Sequence, residues 1–165
     1  MTAERFREIA SSPGDNVPLN PKLAAIWEKM TNATITMDMK YADGRTIKDE
    51  MTGSRKTVQG NYVVTTLNSE LYKQPIDSIM AYDEKVGCYK VWDLYGDTIT
   101  HALMVYDVDK KIYSTSSTFG DGYSELGVGS YSDTNDRSHT VVLKNGILFS
   151  TRDVNVGPAK PASNH

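Results

Sequence analysis

The sequence predicts a mainly β protein, an antiparallel up-and-down β-barrel of about 8–10 strands with one or two short N-terminal helices. Three observations predict it: an internal repeat, segments that alternate apolar and polar residues, and evenly spaced turn signals. In the repeat, residues 79–97 return as residues 103–121, with six identities over 19 aligned positions. Each copy has two aromatic stretches joined by a polar turn, the pattern of a β-hairpin. A β-sandwich is the alternative, but it would need longer crossovers.

The first 32 residues are predicted to form a helical segment and linker that cap the barrel. Residues 3–10 have the pattern of a short helix, which the turn-rich residues 11–16 end. A second helix begins with Asn20 as its cap and Pro21 in its first turn. Its apolar residues share one face at helical spacing; they are Leu23, Ala24, Ile26, Trp27 and Met30. We expect this face to cover one open end of the barrel, because that position buries it.

Residues 33–156 are predicted to form the barrel, since their apolar residues recur with the period of two that strands require. Asp43-Gly44 and Asn145-Gly146 supply tight hairpin turns. The predicted strands are residues 33–41, 45–52, 56–67, 76–83, 87–95, 98–107, 111–119, 123–131, 138–144 and 147–155. Residues 157–165 contain two prolines and small polar residues, and they are predicted to be a disordered tail.

Length, charge and cysteine content restrict the class of protein. A chain of 165 residues suits one domain, and Cys88, as the only cysteine, excludes an internal disulfide and a multi-cysteine metal site. With 18 basic and 21 acidic residues and no dense basic run, the chain is not expected to bind nucleic acid. No signal peptide or transmembrane helix is visible, so no membrane association and a cytoplasmic location are expected, with a removed leader as the open alternative.

Several chemistries lack the residues they need. The glycine-rich residues 120–129 have neither the lysine nor the following helix of a phosphate loop, so we interpret these glycines as sites of bulges and close packing at a barrel corner. The three histidines, His101, His139 and His165, have no spacing typical of a metal site, and residues 133–136 match no calcium loop. No nucleophile motif is present either. We therefore predict no catalytic residue, no metal and no cofactor.

The strand at 87–95 carries one ionisable side chain on each face. Tyr89, Val91, Asp93 and Tyr95 share one face, whereas Cys88, Lys90, Trp92 and Leu94 share the other. Either face can point inward. An inward Asp93 needs a hydrogen-bond donor, because an unpaired buried carboxylate is costly and shifts its protonation. On the next strand, His101 shares a face with Ile99, Leu103 and Val105, and this apolar company predicts that its face is buried.

The repeated residues have structural interpretations. Tyr82, Tyr89, Tyr106 and Tyr113 are expected to form cross-strand aromatic pairs, which stabilise a sheet without any ligand. Asp83 and Asp107 stand where a hairpin turn begins, and aspartate favours that position because its side chain accepts backbone hydrogen bonds from nearby residues.

Three segments, Gly60-Asn61-Tyr62, residues 79–83 and residues 87–92, resemble a family of bacterial lipocalin-like (calycin-like) β-barrel proteins of uncharacterised function. Members show a Gly-Gly-aromatic element, a Tyr-Asp turn, Gly-x-Tyr and a further aromatic residue. Here Asn61 replaces the second glycine, and the Gly-x-Trp signature of lipocalin-type barrels is missing. The resemblance covers residues 53–156 and implies a barrel that encloses a small apolar or amphipathic ligand.

Three functions remain open. The preferred hypothesis is a binding module for a small apolar or amphipathic ligand, with the candidate ligand-binding residues Tyr62, Tyr89, Trp92, Asp93, His101 and Met104. The alternative is an enzyme in which His101 or Asp93 moves a proton and Tyr89 or Tyr62 orients the substrate. The third is a barrel filled with side chains that acts through its outer surface or as a homodimer.

Overall fold

The computed structural model describes residues 1–27, 32–69, 71 and 74–158. Within these ranges the chain forms two short helices and ten strands. The helices are α1 (Ala3–Ser11) and α2 (Pro21–Trp27). The strands are β1 (Asn32–Tyr41), β2 (Thr46–Val58), β3 (Tyr62–Ser69), β4 (Ile76–Asp83), β5 (Cys88–Tyr95), β6 (Thr98–Asp107), β7 (Ile112–Thr118), β8 (Tyr123–Tyr131), β9 (Asp136–Lys144) and β10 (Ile147–Pro158).

The strands form a closed antiparallel barrel, as the sequence predicts. Each strand pairs with the next along the chain, and β1 pairs with β10 to complete the ring. The closing register runs from Ala33 opposite Pro158 to Tyr41 opposite Ser150. Strand β10 therefore extends two residues beyond the predicted end of the barrel, and the rest of the predicted tail, 159–165, lies outside the described residues. Closure leaves no sheet edge for another chain to pair with.

The single strand predicted at 56–67 is wrong, because a tight turn interrupts it. Strand β2 ends at Val58 and β3 begins at Tyr62. Gln59 and Gly60 between them have φ values of +56° and +62°, the left-handed pair that a two-residue hairpin turn requires. A Cβ on Gly60 would lie 2.7 Å from the carbonyl oxygen of Pro18, since the linker between the helices crosses this turn.

The internal repeat corresponds to two successive hairpins of the barrel. Tyr82 lies opposite Tyr89, and Tyr106 lies opposite Tyr113, so the predicted cross-strand pairs are confirmed. The predicted turn role of the repeated aspartates is also confirmed. The Asp83 Oδ1 accepts a hydrogen bond from the backbone N–H of Lys85 at 2.9 Å, and the Asp107 Oδ1 accepts one from Lys110 at 3.1 Å. The repeat thus arises from hairpin architecture.

Helix α1 covers part of the outside wall. Its apolar residues Phe6 and Ile9 are fully buried against Val58, Val64 and Ile79, which project outward from β2, β3 and β4. The backbone of the linker that follows is held to β2, where the Asp15 N–H donates to the Thr57 carbonyl at 3.1 Å. The first helix therefore does not cap an end, in contrast to the prediction for the whole N-terminal segment.

Helix α2 closes one end of the barrel, the position expected from its apolar face. Leu23 is fully buried against Val63, Met80 and Tyr89. The Asn20 Oδ1 accepts from the Lys22 N–H at 2.9 Å, which confirms the predicted cap. The Tyr89 hydroxyl donates to the Lys22 carbonyl at 2.8 Å and ties the helix to the wall. The side chain of Trp27 and the whole of Met30 lie outside the described residues.

Candidate functional site

The strand register shows which side chains point into the barrel. Residues directly opposite each other in an antiparallel sheet point to the same face. Arg152 on β10 forms an ion pair with Glu125 on β8, across the intervening strand β9, so both lie on the same face of the sheet. That face is the interior, because it also carries the buried Met37 and Met51, which pack with residues of other strands and with no helix. Following the register around the ring assigns the other inward residues. They include Met37, Met39, Met51, Ser78, Met80, Tyr89, Asp93, Thr100, Ala102, Met104, Thr115, Ser117, Gly127, Ser138, Thr140 and Val154.

The register separates the six candidate ligand-binding residues into two groups. Those inside the barrel are Tyr89, Asp93 and Met104. Those outside it are Tyr62, Trp92 and His101. Tyr62 and Trp92 pack in the cluster beneath α1, and the Trp92 ring stacks on the exposed His101 ring with centroids 5.9 Å apart. The prediction that Tyr62, Trp92 and His101 line the interior is therefore wrong. The outer face of this wall is also apolar, because α1 packs against it.

The interior has two chemically different walls. Apolar side chains from β1, β2, β3 and β10 form one wall: Ile35, Met37, Met39, Met51, Leu67, Val154 and Val156. Small or weakly polar residues from β6 to β9 form the other wall: Thr100, Ala102, Thr115, Ser117, Gly127, Ser138 and Thr140. Small inward side chains leave space within a barrel of this size. The lining of the lumen is therefore amphipathic.

Three charged residues, which we call the carboxylate cluster, face the half of the lumen away from α2. They are Asp93 on β5, Glu125 on β8 and Arg152 on β10. Burial raises the pKa of Asp93, while the hydroxyls of Ser78 and Thr100 and the charge of Arg152 oppose that rise. These groups are the partners that an inward Asp93 requires. Burial also raises the pKa of Glu125, against the opposing charge of Arg152 and with the charge of Asp93.

Solvent reaches the carboxylate cluster from inside the barrel. The Arg152 side chain is 27% exposed and the Glu125 side chain 13% exposed, although both point inward. By contrast Leu23, at the end closed by α2, is fully buried. Because α2 covers the other end, we infer that solvent reaches the charged groups through the end opposite α2, which we call the open end.

Five tyrosines line the end closed by α2, and we call them the tyrosine cluster: Tyr82, Tyr89, Tyr106, Tyr113 and Tyr131. Successive ring centroids lie 4.9 to 5.6 Å apart. Burial raises the pKa of Tyr89 to about 12 and that of Tyr106 well above its usual value. Within the described chain, the buried hydroxyls of Tyr106 and Tyr131 have no hydrogen-bond partner. This dense packing makes the cluster a floor for the lumen.

Two further charged residues belong to this floor. The Tyr113 hydroxyl donates to the Asp136 carboxylate at 2.6 Å. Burial lowers the pKa of Arg55 to about 10, while the negative charge of Asp136 acts in the opposite direction. Arg55, Glu125 and Arg152 belong to no sequence motif, and Asp136 stands out in the sequence only as an acid of the 133–136 loop. The sequence signal for such residues is a charged side chain that falls, by the alternation of its strand, on the face that points into the barrel.

Aromatic and cationic side chains lie at the open end. Phe149 contacts Tyr41 and Tyr123 edge to face, with centroids 5.5 Å and 5.2 Å apart. The Arg45 guanidinium lies over the Tyr41 ring and the Lys144 ammonium over the Tyr123 ring, each 4.8 Å from the centroid. The entrance to the lumen is thus partly aromatic, and of the two cations over its rings Arg45 is also paired with Asp43 at 2.7 Å.

The described part of the chain contains no group of three His, Cys, Asp or Glu residues placed to hold a metal ion. None of its helices is long and apolar enough to cross a membrane.

Comparison with known proteins shows that the chain shares its fold with two solved structures. No protein-family model matches it, and no curated protein matches it. A protein of unknown function from the DUF3598 family of Nostoc punctiforme PCC 73102 is similar in structure, with a TM-score of 0.58 and 13% identity. The match covers 91% of this chain and 53% of that protein, so the chain spans about half its length.

A second solved structure has nearly the same extent. The S-type phycobiliprotein lyase CPES from Guillardia theta matches with a TM-score of 0.53 and 7% identity, over 98% of this chain and 94% of the lyase. Identities this low show a shared fold alone. The resemblance to a lipocalin-like family therefore stays a prediction at the level of the family.

Proposed function

We propose that this protein binds a small amphipathic molecule inside the barrel, and that the molecule enters through the end opposite α2. The observation that carries the proposal is the lining of the lumen. An apolar wall faces a wall of small residues and the carboxylate cluster, which is ion-paired and reached by solvent. Ligand sites are mostly apolar cavities with a few convergent polar groups, and this lining has that composition.

The two walls give the ligand an orientation. Its apolar part lies against Met37, Met39 and Met51, whose flexible side chains adapt to different shapes. Its polar group lies against the carboxylate cluster, where Glu125 and Arg152 offer both an acceptor and a donor. Of the six residues chosen from the sequence, Tyr89, Asp93 and Met104 stay candidates for contact with the ligand.

The comparison with the Guillardia theta lyase is consistent with this proposal. The lyase has a barrel of the same architecture over almost its whole length, and its name states an activity toward phycobiliproteins. At 7% identity its substrate is not carried over to this chain. The support for a ligand in the lumen comes from the side chains described above.

Strand β7 offers a matched pair of substitutions to test the site. Ser117 points into the lumen between Ala102 and Glu125, whereas Ser116 points outward and is exposed. We expect Ser117→Trp to fill the lumen and weaken binding of the neutral fluorescent probe N-phenyl-1-naphthylamine at least about tenfold, equivalent to about 1.4 kcal/mol. Ser116→Trp adds the same indole outside and should leave the affinity within about twofold. Fluorescence titration measures both.

Circular dichroism and thermal melting show whether each variant is folded, and Ser117→Leu provides a smaller filling group that should cause a partial loss. If Ser116→Trp abolishes probe binding while Ser117→Trp retains it, the probe binds the outer wall and the proposal fails. Equal affinities in the two variants and the wild type also contradict a ligand in the lumen.

A second candidate function is acid–base catalysis in the same lumen. Asp93 and Glu125 are two carboxyl groups with raised pKa values near one arginine, which is an arrangement found in enzyme sites. His101 and Tyr62 cannot act together with Asp93, since they lie outside the barrel. A catalytic Asp93 predicts that Asp93→Asn retains a bound small molecule but loses its conversion.

A further inference from the structure

Among the described residues, carboxylates outnumber guanidiniums inside the barrel. Below the exposed rim, the inward positions of the described strands carry four carboxylates and two guanidiniums: Asp49, Asp93, Glu125, Asp136, Arg55 and Arg152. Charges interact more strongly in a partly desolvated interior than in water, because the effective dielectric constant is lower. The described lumen therefore attracts positive charge when these groups are ionised.

Each of the two guanidiniums already has a carboxylate acting on it. Arg152 forms an ion pair with Glu125, and the negative charge of Asp136 acts on Arg55. Buried charges in proteins are normally paired in this way. These two pairs leave little positive charge for the other two inward carboxylates.

The remaining carboxylates, Asp49 and Asp93, form no ion pair with another described residue, and both accept hydrogen bonds from hydroxyl groups. The Ser69 hydroxyl donates to Asp49 at 2.6 Å, and Asp49 is only 8% exposed. Asp93 accepts from the hydroxyls of Ser78 and Thr100 and is only partly buried. Asp93 is therefore the uncompensated carboxylate that a molecule in the lumen can reach.

Asp93 faces the ion pair of Glu125 and Arg152 across the lumen. Strand β5, which carries Asp93, lies opposite β10 in the ten-strand ring, and β8 is two strands from β10. Burial raises the pKa of Glu125, and the charge of Asp93 raises it further against the opposing charge of Arg152. A positive charge placed between the two carboxylates is attracted by both and relieves their mutual repulsion.

We infer that the polar group of the ligand is a cationic nitrogen, such as the ammonium of an amphipathic amine, and that it binds between Asp93 and Glu125. The inference rests on the proposed function, since it requires a ligand in the lumen. An ammonium group donates three hydrogen bonds and brings the positive charge that Asp93 lacks. Its apolar chain then lies against Met37, Met39 and Met51 on the opposite wall.

Displacement of N-phenyl-1-naphthylamine by three probes with the same alkyl chain tests this inference. Near neutral pH decylamine is a cation, decanol is neutral and decanoate is an anion. We expect the wild type to bind decylamine at least about tenfold more tightly than decanol, and decanoate more weakly than decanol. The shared chain makes the charge of the polar group the main difference between the probes.

Two substitutions locate the preference. Asp93→Asn removes the inward charge with little change in volume, and it should weaken decylamine binding about tenfold while leaving decanol binding within about twofold. Asp153→Asn is the matched control, because Asp153 is exposed on the outer face of β10, where it pairs with His139. It should leave the affinities for all three probes within about twofold. Circular dichroism verifies the fold of both variants, and unchanged decanol binding shows that the lumen is intact.

The outcomes separate this inference from the proposed function. If the naphthylamine binds the wild type and Ser117→Trp prevents that binding, the proposed function stands. The inference alone then fails if decanol or decanoate displaces the naphthylamine as well as decylamine does, or if none of the three displaces it. A preference for decylamine that survives Asp93→Asn, or that Asp153→Asn removes, also overturns it. Naphthylamine binding that Ser117→Trp leaves unchanged contradicts the proposed function, and the inference fails with it.

Discussion

Arg152→Met is expected to destabilise the protein by about 2–3 kcal/mol at neutral pH. Removing one partner of a buried ion pair costs about 3–5 kcal/mol, and we place this pair lower because the Arg152 side chain is 27% exposed. The substitution leaves Glu125 and Asp93 as two carboxylates with no opposing cation between them. Urea unfolding followed by tryptophan fluorescence measures the loss.

The loss should depend on pH in a defined direction. Because the folded-state pKa values of Asp93 and Glu125 are raised, the folded protein holds more protons than the unfolded chain, so their ionisation costs stability as pH rises through the raised pKa values. Without Arg152 this cost grows. The deficit of Arg152→Met should therefore be largest at neutral pH and shrink in acid, where the carboxyl groups are protonated.

A double variant controls for lost packing. Adding Glu125→Gln to Arg152→Met removes one of the two uncompensated charges and its repulsion with Asp93, and we expect it to restore more than half of the lost stability at neutral pH. Methionine retains much of the volume of the arginine stem. A deficit that is the same at every pH and is not relieved by Glu125→Gln contradicts the role given to the carboxylate cluster.

Gly129→Ala is expected to cost about 2–3 kcal/mol, because an added methyl group has no room in the floor of the barrel. A Cβ at this position would lie 2.2 Å from the Tyr113 ring. That ring cannot withdraw easily, since it stacks on Tyr106 with centroids 5.0 Å apart and its hydroxyl is bound to Asp136. Urea denaturation gives the change in the free energy of unfolding.

Gly120→Ala is the matched control from the same glycine-rich segment. No atom lies within 4 Å of a Cβ built there, so the change in stability should be within about 0.5 kcal/mol. If the two substitutions cost the same, packing against Tyr113 is not the reason for Gly129. Within this segment, close packing thus applies to Gly129 and to Gly127, where a Cβ would lie 2.6 Å from the Thr115 side chain, and not to Gly120.

The fold could be predicted because its signals are local. Alternation of apolar residues and turns such as Asn145-Gly146, whose φ values are +51° and +78°, depend on neighbouring residues only. The turn at Gln59 could not be predicted in this way, because its cause is not local. Glutamine does not favour a positive φ, and the linker that crosses the turn comes from elsewhere in the chain.

The site could be predicted only in part, because inside and outside are properties of the closed ring. Helix α1 covers the outer face around Trp92, so both faces of β5 carry apolar residues beside one ionisable residue. Alternation alone therefore could not show which face of that strand points inward. The need of an inward Asp93 for partners followed from electrostatics. Its partner Arg152 comes from a strand distant in sequence, which only the closure of the barrel brings near.

Native mass spectrometry of the freshly purified protein, compared with its mass after denaturation, tests the central claim most directly. We expect the wild type to carry a small molecule that denaturation releases, and Ser117→Trp to carry none, because the indole occupies the lumen between Ala102 and Glu125. Ser116→Trp should retain it. The same adduct on the wild type and on Ser117→Trp would contradict a binding site inside the barrel.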